Sequence, residues 1–240
     1  MKIALIGYGK MGKAIEAIAL EQGHEVVLKI DLDNASDLNA TNIAAADVAI
    51  EFTGPHSAVN NILTCFKLGI PVVSGSTGWL AEWESVANAC KAHDGTFVYS
   101  SNYSIGVNLF FELNQYLAKL MDQYPSYDVL LKEIHHTQKK DAPSGTAITL
   151  AEQVLAGISR KSSWSNQPEE ANSPVLSILS ERIDPAPGTH HVKYHSAIDD
   201  IEIIHTAHNR TGFAGGAVKA AAFAIGKKGI YTMKEVLGFS

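Results

Sequence analysis

The chain has 240 residues, enough for one large domain or two modest ones, with 46% hydrophobic and 18% charged residues, the balance of an ordinary soluble globular protein. A formal net charge of -6 argues against the basic stripe that nucleic acid requires, no apolar run approaches the roughly 20 residues of a membrane span, and no signal peptide precedes the first apolar run. A cytoplasmic protein without nucleic-acid or membrane partners is expected, and Cys65 and Cys90, far apart and without ligand-like spacing, read as reduced thiols.

Lys2 to Ile6 is an apolar run of strand length, followed at once by Gly7-Tyr8-Gly9-Lys10-Met11-Gly12. Helical spacing then runs from Lys13 to Gln22 and stops at Gly23. Glu25 to Ile30 is a second strand, rich in Val and Ile, that ends at Asp31. Asp47 to Phe52 is a third strand, Pro55 can open a helix to about Leu68, and Ile70 to Val73 is a fourth strand. A helix from about Leu80 to Lys91 and a strand from Thr96 to Tyr99 complete an alternation that predicts a parallel sheet with helices on both faces. The rhythm changes near Asn102. Val107 to Met121 reads as one long helix, Asp128 to Ile134 as a strand, Gly145 to Leu155 as a helix closed by Gly157, and Ser162 to Ser173 as a polar loop. Strand-like runs follow at Val175 to Leu179, His190 to Ser196 and Ile201 to Thr206, which suggests a second α+β domain. An alanine-rich helix from about Ala214 to Lys227 ends the pattern, and nothing in its composition says on which domain it packs.

The glycine turn follows a strand, opens a helix, and precedes an acidic residue about 20 positions past Gly12, the context that dinucleotide binding requires. Gly7 permits the tight turn, Gly9 lets the backbone approach a pyrophosphate, and Gly12 allows close helix–strand packing. The helix N-terminus offers N–H groups and a positive dipole end to phosphate. Asp31 can accept from a ribose 2′-hydroxyl, which leans toward NADH, whereas the nearby cation Lys10 could tolerate the 2′-phosphate of NADPH. A glycine turn that merely packs a helix on a strand is the plain alternative. Three later strand ends, Phe52-Thr53-Gly54-Pro55, Ser74-Gly75-Ser76-Thr77-Gly78 and Ser100-Ser101-Asn102-Tyr103, are small and polar, as a cofactor crevice beyond the carboxyl ends of strands requires.

The stretch Glu133 to Thr146 reverses the sign of an acidic chain: it carries His135, His136, Lys139 and Lys140 and then Ser144-Gly145-Thr146. Neighbours on a strand face opposite ways, so both histidines can serve one site only if the strand ends about there. Ala142 before Pro143 is pushed out of the helical region, which gives a loop from about Thr137 to Pro143 and then a helix with Ser144 as N-cap. The N–H groups of Gly145 and Thr146 would point at an anion, with Lys139 or a histidine close by to give a proton. Other readings are a metal bound by the histidine pair, for which no third ligand stands at a diagnostic spacing, and a hydrolase triad of Ser144, a histidine and Asp141, for which the nucleophile elbow is absent. A capped helix beside solvated lysines is the plain alternative. Farther on, His191, Lys193 and His195 share one strand face and His190, Val192 and Tyr194 the other, a pattern that could line a site or meet solvent or a subunit and that best suits a structural or interface role.

Several of these motifs together resemble the 4-hydroxy-tetrahydrodipicolinate reductase (dihydrodipicolinate reductase) family over most of the chain: the Gly7 to Gly12 turn, Glu51-Phe52-Thr53 with Pro55, Gly75 to Gly78, Asn102-Tyr103-Ser104 with Gly106-Val107-Asn108, and above all His135-His136 through Ala147. The resemblance implies an α/β fold class, an N-terminal Rossmann-type doubly wound parallel sheet with a second α+β domain carrying a mixed sheet. It implies a dinucleotide-binding domain at 1–103, to which a C-terminal helix at about 212–240 returns, and a substrate-binding and oligomerisation domain at 104–211. The implied activity is NADH- or NADPH-dependent reduction of a small cyclic dicarboxylate in lysine and diaminopimelate biosynthesis by a homotetramer. His135 and Lys139 would give protons, His136, Ser144, Gly145, Thr146 and, by a looser match, Arg210 would hold substrate. Gly7, Tyr8, Gly9, Lys10, Met11, Gly12, Asp31, Phe52, Thr53, Gly75, Ser76, Thr77, Ser100, Ser101, Asn102 and Tyr103 would meet the cofactor. Two departures stand out: Arg182-Ile183-Asp184-Pro185 replaces a usual Arg-x-Gly pair, and Glu51 stands where Asp is usual. Both are expected to lie away from the acid–base cluster, touching loop and interface details.

Overall fold

The computed structural model describes residues 1–209 and 211–239 and divides into two compact units, Met1–Ile105 with Thr211–Ser240, and Gly106–Arg210. The first unit begins with β1 (Lys2–Ile6), α1 (Lys10–Glu21), β2 (Glu25–Ile30), α2 (Ala40–Ile43), β3 (Val48–Glu51), α3 (Ala58–Lys67), β4 (Val72–Ser74), α4 (Trp83–Ala92) and β5 (Thr96–Tyr99). Alternation on β1 explains its place: Ile3 and Leu5 enter one core, Ala4 and Ile6 the core on the opposite face. Pro55 does not open α3 directly, because the N–H groups of Ser57 and Ala58 both donate to the Gly54 carbonyl and form a turn first.

The second unit contains α5 (Ile105–Met121), β6 (Asp128–His135), α6 (Gly145–Gly157), β7 (Ser163–Ser165), β8 (Val175–Arg182), β9 (Thr189–His195) and β10 (Asp200–Thr206). Its sheet has the order β10-β9-β6-β8-β7 and is mixed, with β6 parallel to β8 and antiparallel to β9. The expected polar loop at 162–173 contains β7, whose three residues are too few to show a period and whose Trp164 reaches the core. Gly157 does not close α6 by a left-handed turn; a Cβ there would lie 2.7 Å from the Cβ of Ala118, so the glycine lets α6 cross close over α5.

The chain then returns to the first unit with α7 (Thr211–Ala224), β11 (Gly229–Tyr231) and α8 (Met233–Leu237). The first sheet is parallel throughout, in the order β11-β5-β4-β3-β1-β2. Side chains of α1, α7 and α8 fill one of its cores and those of α2, α3 and α4 the other. The small residues of α7 have a clear purpose: a Cβ at Gly216 would lie 1.7 Å from the Tyr103 carbonyl oxygen, so only glycine permits that approach. Neither β11 nor α8 stands out by periodicity, although Thr232 and Glu235 form a capping box at α8.

Candidate active site

The carboxyl ends of β1, β2 and β3 open on a crevice of about 420 Å³ lined by Gly7, Gly9, Asp31, Phe52 and Thr53 among others. Gly7 has φ +95, and a Cβ there would lie 2.1 Å from the Phe52 carbonyl oxygen, so the turn is closed to any side chain. At Gly9 nothing lies within 4 Å of such an atom, which leaves open space over the start of α1. A Cβ at Gly12 would stand 2.3 Å from the Gly7 carbonyl oxygen, so that glycine serves helix packing. Asp31 accepts from the N–H of Leu32 at 3.0 Å and caps a 3-10 turn over Leu32–Asp37. A bare helix start, a glycine that bares the backbone and a carboxylate at the next strand end fit a dinucleotide.

Glu51 is fully buried at the end of β3, and its carboxylate accepts from the Thr53 N–H at 2.9 Å, the Ser74 hydroxyl at 2.6 Å, the Ser76 hydroxyl at 2.8 Å and the Thr53 hydroxyl. The acid thereby ties the β3 and β4 loop ends together, and Phe52 fills the space beside Gly75, where a Cβ would lie 2.2 Å from its ring. Tyr8 turns away, donating to Glu16, whose other oxygen pairs with Lys29 at 2.7 Å. Tyr103 is buried with its hydroxyl on the carbonyls of Ser74 at 2.8 Å and Val98 at 3.0 Å, and Met11 packs on the first core. Ser100 closes a turn by donating to the Asn102 carbonyl at 2.7 Å, with Ser101 exposed at its tip. Lys10 and Thr77 are exposed.

In the second unit the covered face of the sheet changes from apolar to polar along β6: Val129 and Leu131 are buried, and so are Glu133 and His135 two and four residues on. Register then fixes the neighbours. Parallel pairing sets Ser180 beside Glu133 and Arg182 beside His135, and antiparallel pairing sets His190 opposite Glu133. Glu133 accepts from the Ser180 hydroxyl at 2.8 Å, from Arg182 Nη2 at 3.2 Å and from the Ser144 N–H at 3.1 Å to each oxygen. His135 Nδ1 lies 3.3 Å from Glu133 Oε2, and His190 Nε2 lies 3.1 Å from Ser144 Oγ. Burial alone would raise the Glu133 carboxyl, but the groups of His135, Ser144 and Ser180 around it hold it well below the usual carboxylate range. Burial, with His135 beside it, pushes His190 down to about 3, so that ring is neutral.

Ser144 caps α6 by accepting from the Ala147 N–H at 3.2 Å, and Gly145 is exposed at the first turn. The loop between β6 and α6 is clamped from the end of the neighbouring strand β8. Arg182 donates to the carbonyls of Asp141 at 2.6 Å and Lys139 at 3.4 Å, and Asp184 accepts from the Thr137 N–H at 3.1 Å and hydroxyl at 2.6 Å. Lys139 Nζ rests on both oxygens of Asp141, at 2.9 and 2.8 Å.

A dihydrodipicolinate reductase N-terminus model matches residues 1–103 and the C-terminus model of the same family matches residues 106–237. The chain belongs to the dihydrodipicolinate reductase family. The 4-hydroxy-tetrahydrodipicolinate reductase of Christiangramia forsetii is 52% identical over 99% of this chain and 98% of its own length. Its namesake from Methanoregula boonei is 36% identical over 99% and 98%. Among solved structures, dipicolinate-bound dihydrodipicolinate reductase from Paenisporosarcina sp. TG-14 has a TM-score of 0.77 at 22% identity, covers 97% of each chain, and shares the fold. The protein is thus an oxidoreductase of a reduction step in lysine biosynthesis, with a nicotinamide cofactor.

Within this reductase, sequence reasoning passed over Glu133, Arg182 and His190, which stand at the centre of the cluster. Arg182 and Asp184 belong to the segment expected away from the acid–base residues; strand register and the clamp bring it against them. His190, expected in a structural or interface role with the rest of β9, faces Glu133 and Ser144, while His191, Lys193 and His195 lie on the opposite face. Arg210 lies outside the described residues. Glu133, His135 and His190 lie close enough to converge on a cation, their donor atoms within 4.8 Å of one another. The carboxylate already accepts four hydrogen bonds from three donors, one of them a guanidinium whose charge opposes a metal ion. Among the described residues no helix is long and apolar enough to cross a membrane.

Proposed function

We propose that the protein reduces 4-hydroxy-tetrahydrodipicolinate to tetrahydrodipicolinate, with His135 and Lys139 as proton donors. The observation that carries this reading is the convergence of His135, the clamped Lys139 loop and the Ser144-capped start of α6 at one end of the second sheet. When bound, the nicotinamide supplies the hydride. The first unit holds that cofactor at Gly7 to Gly12, Asp31, the loop ends after β3 and β4, and Ser100 to Tyr103. NADH is the preferred form: Asp31, Asp33 and Asp37 crowd one turn, and the nearest strand cation, Lys29, is engaged by Glu16.

In the second unit one substrate carboxylate rests on the α6 start, with His136, Ser144, Gly145, Thr146 and Arg210 as its partners, and this fixes the ring's orientation. Charge that builds on the ring as hydride arrives is quenched by a proton from His135 or Lys139, work that contributes about 10²–10⁴-fold. A substrate carboxylate can replace Asp141 as the partner of Lys139, because Asp141 is exposed. The known binding of dipicolinate, a ring with two carboxylates, by the Paenisporosarcina protein supports this ligand class. The same reading takes the protein as a cytoplasmic homotetramer, and the exposed row Leu109, Leu113, Tyr116 and Leu120 on α5 supports a face that another copy covers.

The test is a spectrophotometric assay of cofactor oxidation, with substrate formed in place by the preceding pathway enzyme. Wild type should turn over, and His135→Ala with Lys139→Ala should abolish turnover while leaving NADH affinity nearly intact. Cofactor binding without turnover by the wild type would refute the reading; lost cofactor affinity in the double variant would show the cluster to be misplaced.

A further inference from the structure

Glu133 is fully buried, carries a full charge, and has no part in the chemistry above. A buried carboxylate of this kind is costly, and apolar side chains of similar volume commonly stabilise a core as well or better. Its surroundings point to a task at His135. The two residues share a strand face at a spacing of two, and Oε2 lies 3.3 Å from Nδ1. Nδ1 is buried and has no other polar partner among the described residues. That contact is an ion-pair distance without hydrogen-bond alignment, a looseness that catalytic pairs commonly show before substrate binds. The opposite nitrogen is treated differently. A Cβ at Gly188 would lie 3.0 Å from His135 Nε2, and Gly188 has φ +156, so the backbone passes this nitrogen without a side chain to cover it.

We propose that Glu133 is a positioning residue for His135: its carboxylate holds the Nδ1 proton, fixes the tautomer and ring orientation, and makes Nε2 the nitrogen that gives the proton. This rests on the assignment of His135 as a donor. The logic is that of a second group that orients a base through its far nitrogen. In the step, the Nε2–H bond of the charged ring breaks as a new bond to hydrogen forms on the substrate ring; the imidazole keeps Nδ1–H on Glu133, and solvent returns the proton to Nε2. The carboxylate stays ionised because Ser180, Ser144 and Arg182 donate to it. His190 packs edge-on against His135, with ring centroids 5.1 Å apart, and limits its rotation. The charged and titratable groups around His135 are Glu133 on its own strand, Arg182 on β8, His190 on β9, His205 beyond it on β10, and Lys139 and Asp141 on the loop before α6.

Glu133→Gln keeps the size and removes the charge. Expected are a fall in kcat of about 10²-fold, unchanged KM and NADH affinity, and an alkaline limb of the kcat profile displaced downward by about one pH unit or more, so that activity partly returns in acid. Ser180→Ala, which removes a donor from the same carboxylate, should lower Tm and leave that limb in place. If Glu133→Gln loses Tm or KM but keeps the wild-type limb, Glu133 is structural and the proposal fails. A wild-type kcat in His135→Gln would instead sink the donor assignment, independently of Glu133. Should Glu133→Gln not fold, 15N spectra of histidine-labelled wild type, with His135 assigned by its loss in His135→Gln, decide the matter: in its neutral form the ring should carry its proton on Nδ1. A proton on Nε2 in that state overturns the proposal.

Discussion

His190 should make the second unit acid-sensitive in a measurable way. Burial pushes its ring down to about 3 from the ordinary 6.5, so between those values the unfolded chain binds a proton that the folded chain does not. Stability therefore rises with pH across that window and is lost as pH falls from 6.5 toward 3. The limiting slope is about 1.4 kcal/mol per pH unit, which comes to about 2 kcal/mol between pH 7.5 and 5. Glu133 is also depressed, and its loss sets in only below its ordinary value of 4.5, so the chosen window isolates the histidine. His205, lowered by burial too, acts in the same direction but is present in both proteins compared. In His190→Gln an amide can still reach Ser144 Oγ, and the proton uptake disappears. Urea unfolding, followed by mass-resolved hydrogen exchange of the β9 peptide at pH 7.5 and 5, should show the variant losing about 2 kcal/mol less than wild type over that interval. If both proteins lose stability equally, the buried ring is not the acid-labile group and the reasoning is wrong.

Calorimetric titration should find NADH bound more tightly than NADPH, and Asp31→Ala should weaken NADH by about tenfold, the loss of one charged hydrogen bond, while changing NADPH much less. Equal losses for both cofactors would place the ribose elsewhere. Dialysis against EDTA should leave turnover unchanged; a loss that Zn²⁺ restores would reassign Glu133, His135 and His190 to a metal.

Local signals carried most of the first unit into view. Alternation in β1, the glycine turn and Asp31 are all short-range features, and Gly7 and Gly12 sit where their missing side chains are required. The proposed proton-donor segment stood out for the same reason, since His135, Lys139 and Ser144 lie within ten positions of one another. What escaped depends on pairing between distant segments. Glu133 meets Ser180, Arg182 and His190 only through the register of β8 and β9, which no local pattern states. One clue was available: a charged residue at the buried phase of β6, two positions before a histidine, is an expensive choice that implies a partner. The capping box of Thr232 and Glu235 likewise announces α8, but a five-residue helix has too little period to notice.

The passage of α7 beneath β4 and β5 has a consequence for how the protein is made. The core that α1 shares with α7 and α8 draws on residues from both ends of the chain, with the second unit spelled out between them. On the ribosome, the opening strands must wait for about a hundred further residues, roughly 5–20 seconds of synthesis, before Ala214 to Ala224 emerge to cover them. During that interval Ile3, Leu5 and Val73 line an apolar sheet face covered by α1 alone, a surface that invites chaperones and sticks to its neighbours. A chain cut short before α7 would keep every residue of the glycine turn and still fail to complete the nucleotide fold.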